Sequence, residues 1–220
     1  MSSAPRPGRA WHHVIGLTFG AGRITLDRLV FYGKMGEGSM DEKRQMLCHF
    51  LAAIAYRTQK ALRQAPDDFA TFRAVSGLRT PWELLLHMTS VLGYARTHLQ
   101  GGVWRPERSS DFESEVARLH EILEGLRCEL ASDHPLIETT PERLLQGPLA
   151  DAMSHAGQLS MLRRLHGSPV PPENFIVADI DSENLSVTQA DPVSPDAEWY
   201  DAEGNIQSRR PTTGHKGRHD

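Results

Sequence analysis

The sequence is poor in the features that mark several large protein classes. It has two cysteines in 220 residues, Cys48 and Cys128, too few for a disulfide framework. Both fall in stretches of helical periodicity and read as reduced packing thiols of a cytoplasmic protein. No run of about 18 apolar residues occurs, so no helical bilayer span is expected. Arg6 and Arg9 precede "WHHVIGLTFGAG", but histidine and glycine interrupt what would be the apolar core of a signal peptide. A strong charge excess is missing too. The formal net charge is −4 with histidine neutral, which argues against electrostatic binding of nucleic acid. Alternating strand patterns and internal repeats are also lacking.

What remains is helix. Ser39/Glu42, Thr80/Glu83 and Ser110/Glu113 each place a hydroxyl three residues before a carboxylate, the pairing that satisfies two free N–H groups at a helix start. Pro81 follows Thr80 and suits the first helical position. A fourth start is read at Gly147–Pro148, with Gly167 as the matching stop. Between these signals apolar residues recur at helical spacing. The first helix, Met40 to about Gln64, carries Leu47, Phe50, Leu51, Ile54 and Leu62 on one stripe. The second, Pro81 to Leu99, carries Leu84, Met88, Val91, Leu92 and Ala95. The third, Asp111 to about Ala131, carries Phe112, Val116, Leu119, Leu123, Leu126 and Leu130. The fourth, Pro148 to His166, carries Ala152, Met153, Ala156, Leu159 and Leu162. The spacing predicts an all-α four-helix bundle over residues 39–167, large enough to bury one core.

Two poorly structured extensions flank the predicted bundle. Residues 1–38 are rich in Gly and basic side chains and have no cap or sustained period, and "WHH" there reads as incidental; translation starting at Met40 or Met35 is the corresponding expectation. Residues 168–220 are Pro-rich and then acidic, with eight carboxylates and no Lys or Arg between Asp179 and Glu203. A composition of that kind buries little surface, so a largely disordered tail is expected.

Three polar residues interrupt the apolar stripes. His87 lies three residues after Leu84 and four before Val91. Asp151 and His155 share the face of Leu159 and Leu162, one helical turn apart. Side chains at i and i+4 lie about 5–6 Å apart at Cβ and can converge on one cation. With His87 from a facing helix they form two imidazoles and a carboxylate, a donor set for Zn²⁺, Ni²⁺ or Fe²⁺ with positions left open. The same placement admits a plainer account. His87 can be a hydrogen-bonded boundary histidine, and Asp151 can favour its helix N-terminus through the dipole while pairing with His155.

Residues Met40–Gly167 resemble the DinB-like superfamily of four-helix-bundle proteins. The likeness rests on "TPWELLLHMTSVLGYARTHL", on "DAMSHAGQLSMLRRLHG", and on helix number and order. By position the resemblance implies His87, Asp151 and His155 as ligands of a divalent metal, Zn²⁺ foremost. Asp151 stands where the family commonly has a histidine, which implies either altered metal preference or a decayed site. The resemblance further implies transfer of a low-molecular-weight thiol to small electrophiles, or a related hydrolysis, in stress response or detoxification. It also implies a homodimer. The competing reading is a non-catalytic metal-binding or dimeric scaffold.

Glu83 and Gln158 are in register to orient the two imidazoles, although Glu83 also has its capping task. Arg163 and Arg164 could draw in an anion or complement the C-terminal end of their helix. His120 and His166 are placed away from the proposed centre.

Overall fold

Thr80 accepts from the backbone N–H of Glu83 at 3.2 Å, and the Glu83 carboxylate accepts from the N–H of Thr80 at 2.7 Å. This reciprocal cap, with Pro81 in the first turn, opens α2 (Pro81–Gln100) as the sequence predicts. The computed structural model describes residues 41–132, 134–200 and 203–208. The expectations for residues 1–38, for the translation start and for Ser39 as a cap fall outside them. Helix α1 (Glu42–Leu62) begins after Asp41, which makes no side-chain cap bond. Helix α3 (Phe112–Ala131) is capped by Asp111, one residue later than read. The Asp111 carboxylate takes the N–H of Ser114 at 2.7 Å while Ser110 donates its hydroxyl to the other oxygen. A charged acceptor outcompetes a neutral one for the cap.

The fourth rod differs most from its predicted form. It starts at Thr140, not Gly147, and comprises α4 (Pro141–Leu144), a π-helical turn over Leu145–Leu149, and α5 (Ala150–Leu165). Gly147 and Pro148 therefore lie inside a continuous helical run. Proline has no N–H to offer the carbonyl four residues back. The turn widens around that gap, and the N–H of Ala150 is shared between Leu145 O and Gly147 O. Widened turns of this kind concentrate at functional sites. This one ends two residues before Asp151.

Helices α1 and α2 each pack against α3 and α5, so α1 and α2 stand on one diagonal of the bundle and α3 and α5 on the other. Leu51, Ile54, Leu85, Met88, Leu92, Leu119, Leu123, Leu126 and Leu159 fill the centre with essentially no exposure. Each such side chain contributes about 1.5–3 kcal/mol of transfer free energy. Phe50, Val91, Phe112, Val116 and Met153 sit half-buried at the margin. No helix among the described residues is long and apolar enough to cross a membrane.

Of the predicted C-terminal extension, the structure describes residues 168–200 and 203–208. Regular structure is sparse there, as expected. It amounts to a 3₁₀ turn at Phe175–Val177 and a two-stranded hairpin of β1 (Glu198–Tyr200) and β2 (Ile206–Ser208). The coil nevertheless packs on the bundle, with Leu185 buried in the core cluster. Glu173 pairs with Lys60 at 3.0 Å and accepts from the Tyr56 hydroxyl at 2.7 Å. Glu183 takes Arg127 at 2.7 Å, and Asp191 takes Arg63. Within the acidic run, Glu183 and Asp191 meet Arg127 and Arg63 while their own side chains stay exposed; the buried carboxylate is Glu173, which precedes the run.

His120 on α3 is part of this docking. Its Nδ1 donates to Leu185 O at 2.6 Å, and its Nε2 accepts from the Gln59 amide at 2.8 Å. Burial pushes the imidazole below its ordinary 6.5, against the pull of the Leu185 carbonyl. The folded protein thus keeps His120 neutral where the unfolded chain has already bound a proton. That contribution to stability is complete above the unfolded value and is lost as pH falls below it. Unfolding midpoints measured from about pH 7 to about pH 5 should fall, and should fall less in His120→Gln. Equal declines in both proteins would refute the assignment.

Candidate metal centre

Helix α2 carries His87 two turns in from its cap, and α5 presents Asp151 and His155 across the α2–α5 seam. The structure brings the three together. His87 Nε2 lies 3.2 Å from Asp151 Oδ2, and His155 Nε2 lies 3.3 Å from Asp151 Oδ1. The two imidazoles stand edge to face, 84° apart, with centroids separated by 4.8 Å. One ligand atom from each residue falls within 4.8 Å of the other two, so the group could hold a metal ion.

His155 decides what this arrangement can do. Its side chain is 9% exposed against 43% for Asp151, so one wall is dry and the other open. His155 Nδ1 sits 2.9 Å from Gln158 Oε1; the neutral ring that donates there carries its lone pair on Nε2. That nitrogen is buried and has no hydrogen-bond partner; the 3.3 Å approach to Asp151 lacks hydrogen-bonding geometry. An orphaned buried acceptor costs about 1–3 kcal/mol. Facing a carboxylate oxygen makes it worse, unless a cation stands between them. Zn–N and Zn–O bonds of about 2.0–2.2 Å in a tetrahedron put neighbouring donors roughly 3.3–3.6 Å apart. The separations of 3.2 and 3.3 Å run to different oxygens of Asp151, and one ligand atom from each residue lies within 4.8 Å of the others, so the donor set suits a borderline divalent cation once the side chains close slightly on it.

Burial holds the His87 imidazole below its ordinary value, assisted by the Arg79 cation and by His155 and opposed by Asp151. The neutral, ligating form is therefore favoured at neutral pH. Gln158 stands where it can orient His155. Glu83 does not perform that task for His87. Its carboxylate is taken by the Thr80 N–H and by Arg73 at 3.2 Å, and the Thr80 N–H is the main cause of its lowered pKa. Arg163 is likewise withdrawn from any anion-binding part. It is buried, and its guanidinium serves Ala61 O, Arg63 O and Gln64 O at the C-terminal end of α1. His166 bridges Asp68 and Ser168 at 3.1 Å each, apart from the centre.

A cleft of about 470 Å³ opens beside the group, lined by His155, Gln158, Met161 and Leu162 from α5, by Leu84 from α2, and by Leu78 and Arg79 from the segment before α2. Sequence reasoning missed Leu78, Arg79 and Met161. The clue for the first two was their position directly before the Thr80 cap, which brings the preceding loop to the α2–α5 seam. In comparisons with family models, curated proteins and solved structures, the chain matches none.

Proposed function

We propose that this protein is a metal-dependent enzyme of the DinB-like kind, acting on small electrophiles with a low-molecular-weight thiol or with water as nucleophile. The reading is carried by the buried, partnerless Nε2 of His155 aimed at the Asp151 carboxylate. Zn²⁺ is the first assignment; Ni²⁺ and Fe²⁺ suit the same donors. A bound divalent cation supplies one thing here: a lowered pKa for a coordinated thiol or water, so that the nucleophile exists near neutral pH.

The rest falls to the chain. His87 and His155 offer lone pairs, and Asp151 offsets charge with both oxygens engaged. Gln158 holds His155 in the tautomer that leaves Nε2 free. Leu78, Leu84 and Met161 give the cleft an apolar wall for the electrophile. Neither cysteine belongs to this wall, so the sulfur arrives with the cosubstrate.

Protein purified without a histidine tag should carry near-stoichiometric metal. It should then couple a simple thiol to a chlorodinitrobenzene probe, with the rate lost to chelator and restored by Zn²⁺. Metal without coupling or hydrolysis of any probe would leave a scaffold. Absence of metal would remove the site altogether, leaving Asp151 as an ion-pair partner of two histidines.

A further inference from the structure

The cleft beside the metal-binding group is chemically uneven. Its walls are largely aliphatic, from Leu78, Leu84, Met161 and Leu162, and Arg79 is the one side chain of full charge among the residues lining it. Arg79 is exposed, and among the described residues its guanidinium makes no hydrogen bond or ion pair. The contrast with Arg63, Arg73, Arg127 and Arg163 is direct, since each of those is spent on carbonyls or carboxylates.

The backbone that presents Arg79 is held on both sides. Arg73 binds Leu78 O, and Thr80 is locked in its capping box. Arg79 and His155 line the same cleft. A divalent cation held by one carboxylate and two neutral imidazoles keeps a net positive charge, and Arg79 adds another at the same cleft. Two positive centres flanking an aliphatic wall match a short molecule that is a metal donor at one end and an anion at the other.

We propose that the small-molecule partner of this site carries a carboxylate or similarly compact anion, which Arg79 binds while the molecule's donor end faces the His87–Asp151–His155 group and its carbon chain lies on Leu78, Leu84 and Met161. The inference rests on the metal-centre reading above. Arginine suits the part because its planar fork can take both oxygens of a carboxylate.

The test uses the full-length protein loaded with Co²⁺, whose visible spectrum reports both metal binding and a thiolate joining the metal. Mercaptoacetate and mercaptopropionate are titrated against mercaptoethanol, which offers the same sulfur without the charge. The better carboxylate thiol should bind about tenfold tighter than mercaptoethanol, the size of one charge-assisted hydrogen bond. Arg79→Gln should bring that ratio close to one while Co²⁺ still binds, and Arg79→Lys should retain part of it. Added salt should compress the ratio in the wild type and leave it unmoved in Arg79→Gln. A Co²⁺ spectrum with no preference between the thiols, or a preference that survives Arg79→Gln, overturns this inference alone. No Co²⁺ spectrum in the wild type overturns the metal centre and this inference with it.

Discussion

Alanine at His155 should lower the protein's affinity for Zn²⁺ by a hundredfold or more. Losing an orienting group around a bound metal costs about 10–100-fold in affinity, and losing a ligand itself must cost at least the upper end of that range. His155 is the least exposed of the three donors, so water is poorly placed to replace it. His87→Ala and Asp151→Ala should follow it, with Asp151 the mildest because its exposed side admits solvent. Gln158→Leu, which removes the acceptor of His155 Nδ1, should lose about 10–100-fold.

The thermal signature separates a metal centre from a packing cluster. A ligand at 100 times its Kd stabilises the native state by about 2.7 kcal/mol. Chelator should therefore lower Tm in the wild type and leave His155→Ala unmoved. Isothermal titration with Zn²⁺ and paired melts with and without chelator check both outcomes. Wild-type protein indifferent to chelator would return His155 to the ranks of ordinary buried histidines.

Methionine at Lys60 is the second substitution with a large expected effect, about 3–5 kcal/mol of stability. Lys60 and Glu173 face each other at 3.0 Å with side chains 9% and 0% exposed. Burial lowers the Lys60 pKa and the Glu173 carboxylate opposes that shift. Removing the ammonium leaves a carboxylate sealed from water with the Tyr56 hydroxyl as its remaining polar partner. The double variant Lys60→Met with Glu173→Leu should recover most of the loss, since a buried pair replaced by apolar groups of similar volume is often neutral. Urea denaturation of the four proteins reads the coupling directly. A single-variant loss under about 1 kcal/mol, the value of an exposed pair, would mean that the segment around Glu173 is not docked in solution.

The bundle was legible because its signals are local. Thr80-Pro81 with Glu83 states a helix start in four residues, and the leucine spacing of α3 states which face goes inward. The same reading misplaced the start of the fourth rod. Thr140-Pro141 repeats the Thr80-Pro81 pattern, but Gly147-Pro148 carries a louder punctuation and reads as the beginning. A proline inside a helix is costly in the α form; the π turn that accommodates it involves several carbonyls, and no pair of adjacent residues announces it. The contacts of the tail are hidden from the sequence for a related reason. Glu173 reads as a solvated carboxylate in isolation, and only its meeting with Lys60 and Tyr56 shows that it is buried.

Sequence alone determined the helix count, most of the apolar faces and the identity of three polar residues on those faces, since each depends on spacing along one rod. Tertiary structure alone decided that His87 reaches the other two across a seam, that Nε2 of His155 is left without a partner, and that Arg79 stands at the adjoining cleft. Those facts depend on how rods are phased and crossed, which is set by packing between segments far apart in the chain.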